Sequence, residues 1–161
     1  LDWNTLFTMQ AALDHYIEEN NDLENTDVFE AKYLALLVEL GELANETRCF
    51  KFWSKKSGND AAVILEEFVD NLHFILSLGI EKGYRFNGSV LQDITVTQTE
   101  QFANTFAACV HFKQEPTKHN YEQLFIHYLQ LGSLLGFNEA EIQEAYFKKN
   151  KINYERQNQG Y

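Results

Sequence analysis

Apolar residues recur at helical spacing from the start of the chain. Trp3, Leu6, Phe7, Leu13 and Ile17 fall on one face of a 3.6-residue repeat, which predicts a helix over 3–19. Asn20, Asn21 and Asp22 then read as a loop. A second helix is predicted over 27–46, opened by Thr26 or Asp27 as its cap. Its middle, Tyr33 to Leu40, is apolar nearly all round, so it is buried on most sides. A basic-aromatic connection, 47–60, leads to Asp60 as the cap of a third, strongly apolar helix over 61–82. Asn87-Gly88 marks a turn within 84–88.

A fourth helix is expected over 89–112, although Ile94-Thr95-Val96-Thr97 locally favours strand. Pro116, the single proline, separates it from a fifth over 117–135. Asn138 caps a last helix, with Glu141 three residues on completing a capping box. The pattern predicts one all-α domain over 1–161, a helical bundle of about six helices with antiparallel neighbours. Its C-terminal stretch, about 148–161, reads as a tail.

Two positions break the apolar faces. Gln10 occupies a place in the first helix where the stripe asks for an apolar side chain. It is a tolerated boundary residue or a glutamine facing a pocket, where its amide offers both a donor and an acceptor. His73 lies in the third helix, either as a satisfied buried histidine or as a group contacting a ligand base.

Glu39 and Glu42 are three apart, and so are Glu67 and Asp70. That spacing puts each pair on one helix face, with Cβ atoms about 5–6 Å apart. Either pair alone could be a solvated surface, but these sit in the two most apolar helices. Packed side by side, those helices would converge four carboxylates, which cannot all stay ionised unaided in apolar surroundings. An all-oxygen set suits Mg2+, with Mn2+ as a substitute, and disfavours zinc. Glu46 lies near the same face, as a fifth ligand or a solvated residue, and Glu66 points toward the surface. A di-iron carboxylate bundle would need two Glu-x-x-His pairs, which the chain lacks.

The 161 residues carry 13 Lys and Arg against 24 Asp and Glu, a net charge of −11. This disfavours a nucleic-acid polymer or an anionic membrane as the main partner. No P-loop or dinucleotide-binding glycine motif occurs. Cys49 and Cys109 are too few for a disulfide framework and read as free thiols. With no apolar run of membrane-spanning length and no signal-peptide pattern at Leu1-Asp2-Trp3, the expected location is cytoplasmic. Lys148, Lys149, Lys151 and Arg156 gather against one acid, Glu155. Beside an acidic metal site, such a cluster suggests a substrate with several phosphates.

Glu39-x-x-Glu42, Glu67-x-x-Asp70 and Lys149 followed by Arg156-Gln157-x-x-Gly160-Tyr161 together resemble the dimeric all-α dUTPases. These belong to the MazG-like all-α NTP pyrophosphatase superfamily, and the version here resembles that of Gram-positive bacteria and their phages. The resemblance runs from Trp3 to Tyr161. It implies hydrolysis of dUTP, and of dUDP, to dUMP, with a metal-activated water attacking the α-phosphate. Glu39, Glu42, Glu67 and Asp70 would hold Mg2+, and Glu39 or Glu42 would orient the water. Lys149, Asn153, Arg156 and Tyr161 would hold phosphates. Gln10 would read the uracil edge, with Trp53 and His73 near base and sugar. The loop Cys49 to Trp53 fits the family's Trp-rich segment loosely, so Phe50 could replace Trp53. The family works as a homodimer with sites shared between subunits. Two alternatives stand beside this reading: a related pyrophosphatase acting on dCTP or non-standard nucleotides, and a helical dimer acting mainly as a protein-interaction module. A regulatory protein partner is compatible with any of them.

Overall fold

The computed structural model describes residues 2–160, and among them all regular structure is helical. The helices are α1 (Trp3–Asn20), α2 (Phe29–Thr47), α3 (Ala61–Lys82), α4 (Gln98–Gln114), α5 (Lys118–Leu134) and α6 (Glu139–Asn158). The all-α expectation holds. Among the described residues no helix is long and apolar enough to cross a membrane.

Helix α3 is the centre of the molecule. It packs along α2 and also meets α1, α5 and α6, while α4 pairs with α5 and touches α2. Its run from Phe68 to Gly79 is almost wholly buried, as its apolar sequence requires. Two tyrosines on α5 fix its register against α3. Tyr121 donates to the Ile75 carbonyl at 2.7 Å and Tyr128 to the Phe68 carbonyl at 2.5 Å. Both hydroxyls lie in the core, where an unpaired polar group would be costly. Tyr128 also stacks on Phe68, with centroids 4.4 Å apart. The close approach depends on small residues: a Cβ on Gly79 would run into the Tyr121 ring and hydroxyl, and one on Gly132 would lie 2.7 Å from Phe68.

Two of the three predicted caps, Asp60 and Asn138, stand at helix starts, whereas Val28 rather than Thr26 or Asp27 occupies the cap position of α2. Asn138 and Glu141 form the expected capping box. Helix α2 begins two residues later than predicted, at Phe29, whose amide donates to the Asp27 carboxylate at 3.0 Å. Asp60 occupies the cap position of α3 without a side-chain capping bond.

The fourth helix requires a correction. It begins at Gln98 rather than at residue 89, and 84–97 contains neither helix nor strand. The β-branched run Ile94 to Thr97 resists a helix because its χ1 angles would be restricted. Thr97 instead caps the helix, accepting from the Glu100 amide at 3.1 Å while Glu100 accepts from the Thr97 amide. The segment is still anchored. Phe86 is buried and stacks on Phe125, with centroids 4.4 Å apart.

A second difference concerns the stretch read as a C-terminal tail. Residues 148–158 continue α6, whose last turns lie against α1 and α3.

Candidate active site

The pairing of α2 with α3 brings the predicted carboxylates together. Carboxylate oxygens of Glu39, Glu67 and Asp70 all lie within 4.8 Å of one another. Glu42 stands outside this group of three but is near enough to help raise the Glu39 pKa. Glu46, at the edge, accepts from Asn59 at 2.9 Å.

The electrostatics are those of crowded like charges. Glu39 is pushed up to about 7, first by burial, then by the Glu42 hydrogen bond and the charges of Glu42, Asp70 and Glu67. Burial raises Glu67 as well, with Asp70, Glu42 and Glu46 adding to the shift. Burial also raises Asp70, against the opposing pull of Lys149. The Glu67 Oε2 atom is buried with no hydrogen-bond partner. An orphaned carboxylate oxygen beside two further carboxylates fits a hard divalent cation, which would satisfy the oxygen and neutralise the repulsion.

Lys149 is buried, and its Nζ lies 3.0 Å from Glu66 and 3.1 Å from Asp70. Glu66, exposed as expected, is thus also the partner of a site lysine.

Glu39 and Asp70 form one wall of a cavity of about 380 Å³ whose other walls include Gln10, His73, Asn153 and Arg156. Gln10 faces this pocket rather than a boundary. It is 3% exposed, and both ends of its amide are bonded. Its Nε2 donates to Asp14 at 2.8 Å, while its Oε1 accepts from the Tyr146 hydroxyl at 2.9 Å and lies 2.5 Å from His73 Nδ1. His73 stacks on Tyr146, with centroids 4.4 Å apart. Burial, helped by the Lys149 charge, lowers its pKa to about 3, so the ring is neutral.

Asp14, Lys32, Ser77 and Tyr146 were missed in the sequence. Ser77 donates to Asp14 at 2.8 Å, and Lys32 lies 3.9 Å from the same carboxylate. Asp14 follows Gln10 by four residues and Ser77 follows His73 by four, so helical spacing from either candidate could have found them. Nothing local marks Tyr146 or Lys32.

Trp53 does not join this pocket within one chain. It lies on the α2–α3 connection, 64% exposed, with edge contacts to Phe50 and Phe52. Tyr161 lies outside the described residues. Cys49 and Cys109 are both free thiols.

A family model described as dUTPase matches residues 2–161 of this sequence. No curated protein matches the chain.

Proposed function

The chain belongs to the dUTPase family, its activity is that of a dUTP diphosphatase, and from that premise we propose a Mg2+-dependent hydrolysis of dUTP, and of dUDP, to dUMP. The observation that carries this reading is the convergence of Glu39, Glu67 and Asp70 on the wall of the pocket that holds Gln10 and His73.

Glu39, Glu42, Glu67 and Asp70 would hold the metal. When bound, it would supply charge neutralisation at the phosphoryl oxygens and a more acidic water. Glu39 orients the water for attack on the α-phosphorus and takes its proton. The bond from the α-phosphorus to the bridging oxygen breaks, and pyrophosphate leaves from dUTP or phosphate from dUDP. Lys149 and Arg156 balance the charge of the phosphates, with Asn153 and Tyr161 as hydrogen-bonding helpers. Gln10 and His73 hold the nucleoside, and the cytoplasm is the proposed compartment.

The decisive experiment compares dUTP, dUDP, dCTP and dTTP with Mg2+, with Mn2+ and with EDTA. The expected outcome is release of dUMP from dUTP with Mg2+ and none with EDTA. Turnover that persists in EDTA would refute the metal assignment, and equal rates on dCTP would favour the alternative pyrophosphatase.

The same reading includes a homodimer. Leu34 and Val38 on α2 are 61% and 51% exposed, and Val110 on α4 is exposed too. A second copy would cover this apolar surface, and an aromatic plane supplied across the interface would account for the exposure of Trp53. Sedimentation equilibrium at micromolar concentration is expected to give a dimer, and Leu34→Glu a monomer with at least about tenfold lower activity, since burying an unpaired charge costs several kcal/mol. A monomeric, fully active wild type would exclude it.

A further inference from the structure

The Asp14 carboxylate, which can only accept, fixes which way round the Gln10 amide lies. Its nitrogen faces Asp14 and its oxygen faces Tyr146 and His73. The reverse orientation would set an amide oxygen 2.8 Å from the Asp14 carboxylate, two acceptors against each other. The Asp14 carboxylate accepts from both Gln10 and Ser77. Burial raises its pKa, while the Lys32 charge and the bonds from Gln10 and Ser77 pull it down.

This orientation decides the proton on His73. The Gln10 oxygen can only accept, so the ring nitrogen 2.5 Å from it, Nδ1, must donate. A neutral imidazole has one N–H, which leaves Nε2 as a bare lone pair. His73 Nε2 is buried without a partner, in a residue 5% exposed that lines the pocket. A buried acceptor left unmatched in this way calls for a donor from a ligand.

We infer that Asp14 is a positioning residue: its carboxylate fixes the Gln10 amide and, through it, the Nδ1–H tautomer of His73, so that Nε2 accepts a hydrogen bond from the bound nucleoside. This rests on the nucleotide reading above and adds the direction of the recognition. Deoxyuridine offers two donors, the uracil N3–H and the sugar 3′-hydroxyl. Deoxycytidine keeps the hydroxyl but presents a bare N3, an acceptor facing an acceptor.

The test is nitrogen-15 NMR of the full-length protein labelled at the histidine rings, with the His73 signals assigned by their loss in His73→Gln. His73 in the wild type is expected to show a protonated Nδ1 and an unprotonated Nε2. Asp14→Asn can bond Gln10 either way round, so the tautomers should mix. Its KM for dUTP should rise about tenfold with kcat changed by less than about threefold, the effect of one misplaced polar contact. Adding dUMP should shift the Nε2 resonance. Of two further probes, 2′,3′-dideoxyuridine monophosphate lacks the 3′-hydroxyl and dCMP lacks N3–H, so the one that fails to shift Nε2 identifies the donor.

A wild-type His73 protonated at Nε2, an unmoved Nε2 with dUMP, or an Asp14→Asn protein with the wild-type tautomer and KM would each overturn the inference. An enzyme active on dUTP but protonated at Nε2 refutes this relay alone. A protein with the expected tautomer that fails to hydrolyse dUTP refutes the substrate reading instead.

Discussion

Glu39→Gln is expected to lower dUTP turnover by about 10²–10⁴-fold, the usual loss when a positioned acid-base group is removed, and at the same time to stabilise the metal-free protein. The two effects have opposite signs because the carboxyl that serves the reaction is also one that the metal-free fold ionises at a cost. Burial first, and then the neighbouring Glu42, Asp70 and Glu67 carboxylates, raise Glu39 from 4.5 to about 7 in the metal-free protein. Those surroundings make its ionisation costly to the metal-free fold. Below pH 4.5 both folded and unfolded chains carry the proton and no cost arises. Between 4.5 and 7 the unfolded chain releases it first, so stability is lost as pH rises, and above 7 the loss is complete.

Discounted for the partial exposure of the carboxyl, that loss is roughly 1–2 kcal/mol. His73 acts in the opposite direction. Its depressed pKa means that stability is lost as pH falls below its ordinary value of 6.5. The wild-type profile alone therefore mixes the two contributions. The difference between Glu39→Gln and wild type isolates the carboxylate, because His73 is common to both. Melting in EDTA from pH 4.5 to 8 should show a variant advantage that grows from near zero to its full size by pH 7. A variant that is equally or less stable at pH 8 would contradict the charge crowding.

Gly79→Ala carries the largest expected effect on folding, a loss of about 3 kcal/mol from overpacking together with a strained buried hydrogen bond. The added methyl would enter the space of the Tyr121 ring and hydroxyl, and both residues are buried. Tyr121 can yield only by leaving the Ile75 carbonyl, which it now reaches at 2.7 Å. A loss of that size is a large share of the roughly 5–15 kcal/mol that holds a domain together. Denaturant unfolding of Gly79→Ala, Tyr121→Phe and the double variant forms a cycle. The double variant should be less destabilised than the sum of the singles, because removing the hydroxyl removes part of the collision. Strict additivity would show that the methyl is accommodated elsewhere.

The parts of the molecule legible in the sequence are those governed by short-range periodicity. Glu39, Glu42, Glu67 and Asp70 declared themselves because i, i+3 spacing on apolar helices leaves few other meanings. Asn138 and Glu141 fixed a helix start through bonds confined to one turn. Residues 89–97 were misassigned because the apolar spacing and the β-branched run pointed different ways, and the cap at Thr97 decided between them. Tyr146 was invisible for another reason. Its bond to Gln10 spans 136 residues, and nothing in its own neighbourhood reports that partner. Trp53 stood out by composition, but exposure on a loop does not say what covers it.

The contact between α1 and α6 has a kinetic consequence. Tyr146 reaches Leu6 across 140 residues, and Tyr16 meets Asn158 across 142. The α2–α3 and α4–α5 pairs, by contrast, close over short connections. Loop-closure entropy favours the local hairpins first and the long-range seam late. The carboxylate cluster lies within the early α2–α3 pair, whereas the nucleoside pocket needs the seam. During refolding, affinity for divalent cations should therefore emerge before affinity for the nucleoside.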